Sequence, residues 1–366
     1  MYIDSLNLIN FRNFAHKNLV FDPSLTVIIG PNGSGKSNIL EAVSLLSASR
    51  LRTVDTDLDL VKFGQSEAKV EGEVVGGEKK RLTVNFQVID ETYLKKAYLI
   101  DSIKKRLADF TMYFSIIAFG PFDLELVDGS PSVRRHHLDS LPSSVDRDYW
   151  RNVSAYNKIV ARRNKVLQRI AEGKSKVSEL AFWDVRLLEH GKYISQKREE
   201  FFEFLADYAK SGSTDSSKPG LKGIYKPGLS HVSLTGFSWQ LKQSLLSEEK
   251  LLRNRERDIA AGMTLSGPHR DDFRFFLKGK DLEFFGSRGE QRMSVLALKL
   301  AELEYFTVKR GQRPILALDD IFSELDWEHR EAVLSVVGKQ QTIITAAECE
   351  SLPKEIFKKV KVVELG

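Results

Sequence analysis

At positions 30–37 the chain reads GPNGSGKS, and no other stretch restricts the fold as much. Gly30, Gly35, Lys36 and Ser37 stand in the register GxxxxGK[ST]. In that pattern the glycines let the backbone curl until successive N–H groups point at phosphate oxygens, and the positive end of the following helix adds to the field. Such a loop needs a strand before it and a helix after it. Leu25–Ile29 is an apolar run of strand character, and Ile39, Leu40, Val43 and Leu46 recur at helical spacing. A glycine-rich loop arising by chance would not carry both flanks. The segment predicts an α/β fold in which Gly30, Pro31, Asn32, Gly33, Ser34, Gly35, Lys36, Ser37 and Asn38 hold ATP. Lys36 neutralises the β and γ phosphates in a catalytic role, and the Ser37 hydroxyl coordinates Mg²⁺.

A partner for this loop stands near the other end of the chain, in RPILALDDIFSELD. Residues 315–318 predict a short buried strand ending in Asp319 and Asp320, which places carboxylates at the edge of a sheet where α/β proteins bind ligands. Asp319 is the natural Mg²⁺ partner, and Asp320 is placed to orient or deprotonate an attacking water. Between loop and strand lies FGSRGEQRMSVLALKLAELEYF, residues 285–306. Met293, Leu296, Ala297, Leu300 and Leu303 form one helical stripe, which leaves Ser287, Arg288 and Gly289 at a helix start with free N–H groups. Standing alone, SRGEQ fits a capped helix as well as a second anion site. Beside the acidic strand, the anion site is expected: Ser287 and Gly289 of one molecule can clasp a nucleotide held by another, with Ser287 catalytic in trans.

Lys36 and Asp319 lie 283 positions apart, so both ends of the chain must build one site. No heptad pattern is sustained between them, which predicts a compact insertion without coiled-coil arms. Residues 66–100 read as an antiparallel meander attached to the first lobe, and helical patterns dominate from about 111 to 255. The expected organisation is an N-terminal half of the nucleotide-binding lobe (1–110), an inserted, mainly helical lobe (111–255), and a C-terminal half (256–366). KSGSTDSSKPG, 210–220, reads as an exposed loop.

Charge and cysteine usage narrow the class. The 55 Lys and Arg against 50 Asp and Glu give a mildly basic chain, which permits contact with nucleic acid. The single cysteine, Cys349, excludes an internal disulfide framework and a Cys-based zinc site. No apolar run approaches a membrane span and the N-terminus has no long apolar core, so the expectation is a soluble, cytoplasmic protein.

Over residues 146–176 there are nine Lys or Arg and three Asp or Glu. On a helix, Arg151, Lys158, Arg162, Lys165 and Arg169 share one face, where a basic stripe can track DNA phosphates or merely be solvated. Tyr149, Val153, Tyr156, Val160, Leu167 and Ile170 share another. Arg163 falls on that apolar stripe, where an unpaired charge is costly, so it is expected to pair with a buried carboxylate. His136 and His137 diverge on any regular element and do not suggest a metal site. GPHRDD, 267–272, fits a salt-bridged structural loop as well as a site.

This order of motifs resembles the ATP-binding cassette fold and, more narrowly, the heads of the SMC class: GPNGSGKS is similar to Walker A, SRGEQ to the signature, LALDD to Walker B and SELD to the D-loop. Within that class the chain is most similar to the RecF family. NFRNF (10–14), GPNGSGKSNILEAV (30–43), SASRLR (47–52), FGPFDLELVDGSPSVRRHHLD (119–139), GPHRDD, FGSRGEQR (285–292) and LALDDIFSELD (316–326) carry the likeness across almost the whole chain. The resemblance implies an ATP-dependent DNA-binding protein of recombinational repair that closes as a homodimer on duplex or gapped DNA. It implies RecR and RecO as partners in placing RecA, and a link to the SOS response. It also implies that Arg12 approaches the nucleotide. At the end of QTIIT the chain has Thr345-Ala346-Ala347 where transporter ATPases carry a switch histidine, and no Q-loop glutamine can be assigned. Asp320 stands in place of the commoner Glu. These departures imply slow hydrolysis, a weak DNA-stimulated ATPase used as a switch. A P-loop small-molecule kinase and a transporter ATPase subunit are the competing classes, and neither accounts for SRGEQ, SELD and the motif spacing together.

Overall fold

The first strand, β1 (Tyr2–Phe11), buries Ile3, Leu6, Leu8 and Phe11 in a core, with its alternation interrupted by a register shift between Ile3 and Ser5 and a positive φ at Asn10. In the computed structural model, residues 1–47, 57–90, 92–211, 236–323, 327–353, 356 and 360–365 are described. The chain continues through β2 (Phe14–Val20), β3 (Leu25–Ile29), helix α1 (Lys36–Leu46), β4 (Glu67–Val75), β5 (Lys79–Ile89), β6 (Tyr93–Ile100), β7 (Ile103–Lys105), the one-turn helix α2 (Leu107–Phe110) and β8 (Ile116–Phe119). A mainly helical stretch follows: α3 (Glu125–Asp128), α4 (Pro131–Val145), α5 (Arg147–Ala171), α6 (Leu180–Ser211), β9 (Phe237–Lys242), α7 (Glu248–Ala261), β10 (Asp272–Leu277), β11 (Lys280–Asp281) and α8 (Leu282–Phe285). Helix α9 (Arg288–Arg310) then leads to β12 (Ile315–Asp319), α10 (Trp327–Leu334), β13 (Thr342–Ala346) and β14 (Lys361–Glu364).

Met1–Leu124 and Val295–Gly366 form one unit. It contains a six-stranded antiparallel sheet ordered β2-β1-β4-β5-β6-β7, which includes the meander expected over 66–100. A second, parallel sheet is ordered β14-β3-β13-β12-β8. Every residue of β3, β12 and β13 is buried, as expected for parallel strands covered on both faces. Helix α1 sends Ile39, Leu40, Val43 and Leu46, all fully buried, into a core shared with Leu6, Val70 and Val84 of the first sheet and Ile28, Ala317 and Ile343 of the second. Apolar burial here fixes the direction of α1, and with it the loop at its start.

Glu125–Lys210 and Gly236–Ser294 form the other unit. The divisions thus fall after residues 124 and 294, where the changes of sequence pattern gave 110 and 255. Two pairings explain the difference: β8 belongs to the parallel sheet beside β12, and β10 pairs with β9. Residues 48–52 of SASRLR, 212–220 of the expected loop and 324–326 of SELD lie outside the described residues.

Helix α5 begins at Asp146, whose carboxylate accepts the N–H groups of Asp148 and Tyr149 at 2.8 and 2.9 Å. Its buried Tyr149, Tyr156 and Ile159 pack with Leu187 and Ile194 of α6 and Leu251 of α7. Arg163, fully buried, donates from Nε to Asp184 and from Nη1 to Asp258, each at 2.8 Å, and from Nη1 to the Thr264 hydroxyl at 3.0 Å. The pairing expected from its place on the apolar stripe is present.

GPHRDD proves to be a second buried polar junction. Arg198 of α6, 2% exposed, donates to the Pro268 carbonyl and to Asp271 at 2.7 Å each, and to Asp139 at 2.6 Å. Arg134 forks onto Asp272 at 2.6 and 3.0 Å. His269 Nε2 donates to the Thr264 carbonyl at 2.9 Å, which leaves Nδ1 to accept from the Tyr156 hydroxyl at 2.9 Å. The motif holds its unit together.

Two measurements test these junctions. Arg163→Ala strips two buried carboxylates of their partner and is expected to destabilise the protein by about 3–5 kcal/mol in denaturant unfolding. Burial, reinforced by the positive charges of Arg270, Arg135 and Arg163, pushes the His269 imidazole down to about 4, against a hydrogen bond to Thr264 that raises it. The unfolded chain therefore takes up a proton that the folded chain refuses as pH falls from 6.5 toward 4. Stability is complete above 6.5 and declines across that window by of the order of 3 kcal/mol. His269→Gln, whose amide can donate and accept in the same places, is expected to flatten this acid limb of thermal unfolding.

Candidate nucleotide site

The parallel sheet delivers the candidate residues to one edge. β3 ends at Ile29, β12 at Asp319 and β13 at Ala346, with Ile29 opposite Ala346 and Asp319 opposite Thr345. From β3 the chain enters the 30–35 loop and then α1. Gly33 and Gly35 have φ of +85° and +100°, a region open to glycine and strained for other residues. Gly35 also lacks room: a Cβ there would lie 2.6 Å from Phe14 Cζ and 2.7 Å from Asn13 Nδ2.

An anion fits this loop on three counts. α1 has no side-chain cap and no acidic residue in its first turn, so its leading N–H groups and positive dipole end are uncompensated. Ser34 Oγ is buried with no hydrogen-bond partner among the described residues. The Lys36 amine folds back onto the carbonyls of Gly30 and Pro31 at 2.6 and 3.0 Å, within reach of whatever the loop holds. These residues fit a triphosphate, and Ser37 and Asp319 fit its Mg²⁺. Ser37 Oγ donates to Asp319 Oδ1 at 3.1 Å across 282 positions of sequence. Pro31, Asn32 and Asn38 lie on or beside the loop as expected, and Asn38 Nδ2 donates to Asn13 Oδ1 at 2.9 Å.

Three further residues complete the site, and sequence reading missed each of them. The Thr345 hydroxyl donates to Asp319 Oδ1 at 2.6 Å and accepts the Asp320 N–H at 3.0 Å. Asn13, in the β1–β2 turn, donates to the Ser34 carbonyl at 3.2 Å and so braces the loop. Glu41, on the second turn of α1, takes Arg12 in a two-pronged pair at 2.8 and 2.9 Å. Arg12 is therefore held beside the loop by α1, while Asn13 and Phe14 are residues of NFRNF that lie against it. The one signal for Thr345 in the sequence was its place at the end of QTIIT, beside the position where transporter ATPases carry a switch histidine. Asp320 has φ of +51°, an uncommon backbone conformation for a residue with a side chain.

In the other unit, Ser287 and Glu290 cap α9 reciprocally. Glu290 Oε2 accepts the Ser287 N–H at 2.8 Å and its hydroxyl at 2.9 Å, while Ser287 Oγ accepts the Glu290 N–H at 3.3 Å. Those two bonds from Ser287, backbone first, hold the Glu290 carboxyl below its ordinary value. The expected anion site is thus filled by the chain's own carboxylate, although a Cβ at Gly289 would meet nothing within 4 Å, so a ligand can approach there. On α5, Arg151, Lys158, Arg162, Lys165 and Arg169 are all exposed. Arg151 pairs with Asp148 at 3.0 Å; Lys158, Arg162 and Lys165 have no carboxylate partner among the described residues. No cluster of three or more His, Cys, Asp or Glu able to hold a metal occurs among the described residues, and the His137 ring lies against Phe273.

A nucleotide loop, a serine-capped helix and an acidic strand end follow one another along this chain, which is similar to known proteins over almost its whole length. The family model for the RecF/RecN/SMC N terminal domain matches residues 2–363. The DNA replication and repair protein RecF of Moorella thermoacetica is 39% identical over 369 residues, covering 100% of this chain and 95% of that protein. Its namesake from Bacillus cytotoxicus is 33% identical over 368 residues, covering 100% and 97%. Among solved structures, the recombination mediator protein RecF-ATP in the RecFOR pathway superposes with a TM-score of 0.82 at 27% identity, over 96% of this chain and 93% of that one. An Smc head domain from Pyrococcus furiosus gives 0.50 at 16% identity, over 100% and 94%, and shares the fold alone.

Gly35→Ala is expected to abolish nucleotide binding, measured by titration with a fluorescent ATP analogue, because a methyl group there meets both Phe14 and Asn13.

Proposed function

The chain belongs to the RecF family of RecF/RecN/SMC proteins, and from that premise we propose that it is an ATP-switched DNA-binding protein of replication and recombinational repair. The observation that carries the reading is the Ser37–Asp319 hydrogen bond, which joins the 30–37 loop to the acidic strand end at one sheet edge. Bound ATP supplies a γ-phosphate that two copies of the chain can share and that hydrolysis removes. The chain's own residues do the rest. Lys36 leaves the carbonyls of Gly30 and Pro31 to neutralise phosphate, and Ser37 and Asp319 hold Mg²⁺. Asp320 orients the attacking water and takes its proton. Ser287 and Gly289 of a second copy meet the γ-phosphate, once Glu290 gives up the Ser287 hydroxyl.

Because those contacts exist only in the closed pair, they favour dimer over monomer when ATP is bound, which is the differential interaction a switch needs. The exposed stripe on α5 supports DNA binding through phosphates, with the salt dependence that entails. Its relatives' names, a DNA replication and repair protein and a recombination mediator of the RecFOR pathway, support RecR and RecO as partners; action at gapped DNA, the placing of RecA, a contribution to the SOS response and a cytoplasmic location are further parts of the proposal. Hydrolysis is slow and DNA-stimulated in this reading. No helix among the described residues is long and apolar enough to cross a membrane.

Sedimentation with ATP, with ADP and without nucleotide, each with and without a short duplex at low salt, tests the reading. Wild type is expected to dimerise only with ATP, more strongly on the duplex, and Lys36→Met not at all. Arg162→Gln combined with Lys165→Gln is expected to keep the ATP-dependent dimer and lose most of the gain from DNA. A wild type that stays monomeric with ATP and duplex sinks the clamp and returns the head to the P-loop enzymes.

A further inference from the structure

We propose that Thr345 is a positioning residue for ATP hydrolysis: its hydroxyl fixes the turn at Asp319-Asp320 and so aims the Asp320 carboxylate. The inference rests on the ATP-site reading above. β12 and β13 run parallel with Asp319 opposite Thr345, so this side chain, 1% exposed, emerges beside the Asp319 carboxylate and the Asp320 backbone at the edge of the sheet. It donates to Asp319 Oδ1 at 2.6 Å and accepts the Asp320 N–H at 3.0 Å. The Thr345 carbonyl accepts the same N–H at 3.2 Å. One residue thus orients the carboxylate of Asp319 and the backbone of its successor.

Asp320 depends on that grip. With φ of +51° it sits in a conformation that a residue with a side chain adopts only when its surroundings impose it. A small relaxation about this backbone would swing its carboxylate, and hydrolysis is sensitive to misplacement on the scale of an ångström. Ser37 also donates to Asp319 Oδ1, at 3.1 Å, but Ser37 is the residue that would hold Mg²⁺. Thr345 has no such second duty.

Valine separates aim from fold. It matches threonine in shape, suits a strand, and leaves the Asp320 N–H bonded to the carbonyl of residue 345, so no buried donor is orphaned.

The test compares the full chain carrying Thr345→Val or Thr345→Ser with wild type in three measurements: affinity for a fluorescent ATP analogue, steady-state turnover and thermal unfolding. Thr345→Val is expected to lower turnover about tenfold or more while the nucleotide dissociation constant stays within about twofold and the unfolding midpoint barely moves. Thr345→Ser, which restores the hydroxyl, is expected to recover turnover to within about threefold of wild type. The proposal is overturned if Thr345→Val turns over like wild type, if its loss is matched by lost nucleotide binding or lost stability, or if serine fails to rescue. A wild type that binds or hydrolyses no ATP overturns the site reading itself and this inference with it, and that outcome is visible before any variant is compared.

Discussion

The carboxylate of Asp319, at the end of β12, receives two hydroxyl groups, from Ser37 at the start of the helix that follows β3 and from Thr345 of β13, and only the parallel sheet brings those three strands together. This convergence is the constraint on which the nucleotide site depends. β3 comes from the beginning of the chain and β12 and β13 from its end, so the site exists only when both ends have folded onto one another. The insertion between them can be long because loop-closure entropy grows slowly with length, and the burial of three wholly apolar or uncharged strand interiors offsets it.

Burial also explains why the second unit carries so much internal charge. Arg163 and Arg198 are almost completely enclosed, and each is matched by two carboxylates and further acceptors. Replacing such clusters by apolar groups of the same volume is often neutral, so their value here is geometric. Arg163 ties α5 to α6 and α7, and Arg198 ties α6 to the GPHRDD turn and to Asp139 of α4. A helix carrying a basic stripe on its outer face is thereby held by α6 and α7 on its inner face. The α9 start follows a different logic: Ser287 and Glu290 satisfy one another, so this helix end is stable without a ligand and can exchange a carboxylate for an anion of the same charge sign.

Local sequence patterns read well wherever the structural requirement was local. Gly35 is glycine because its φ is positive and Phe14 leaves it no room; Ile39, Leu40, Val43 and Leu46 are buried because 3.6-residue spacing puts them on one face. Arg163 was legible for the same reason, since its place on an apolar stripe demanded a partner even though the partner's identity stayed hidden. Ser287 was half legible: its place at a helix start was evident, but SxxE also encodes a capping box, and the carboxylate of Glu290 took the bonds assigned to an anion. Lys299 and Glu302 of α9 are buried against the stripe's pattern because Lys299 pairs with Glu302 and also with Asp123, a partner no periodicity reveals.

The sequence by itself determined the loop, the helix behind it, the two adjacent carboxylates and the need for both chain ends to meet, because each rests on residue type and spacing along the backbone. Only the tertiary structure decided that Thr345 stands between Asp319 and Asp320, that Glu41 holds Arg12 and that Asn13 braces Ser34. Those contacts depend on strand order and register, and parallel strands obtain their register from the packing of everything around them rather than from a short turn that a sequence can display.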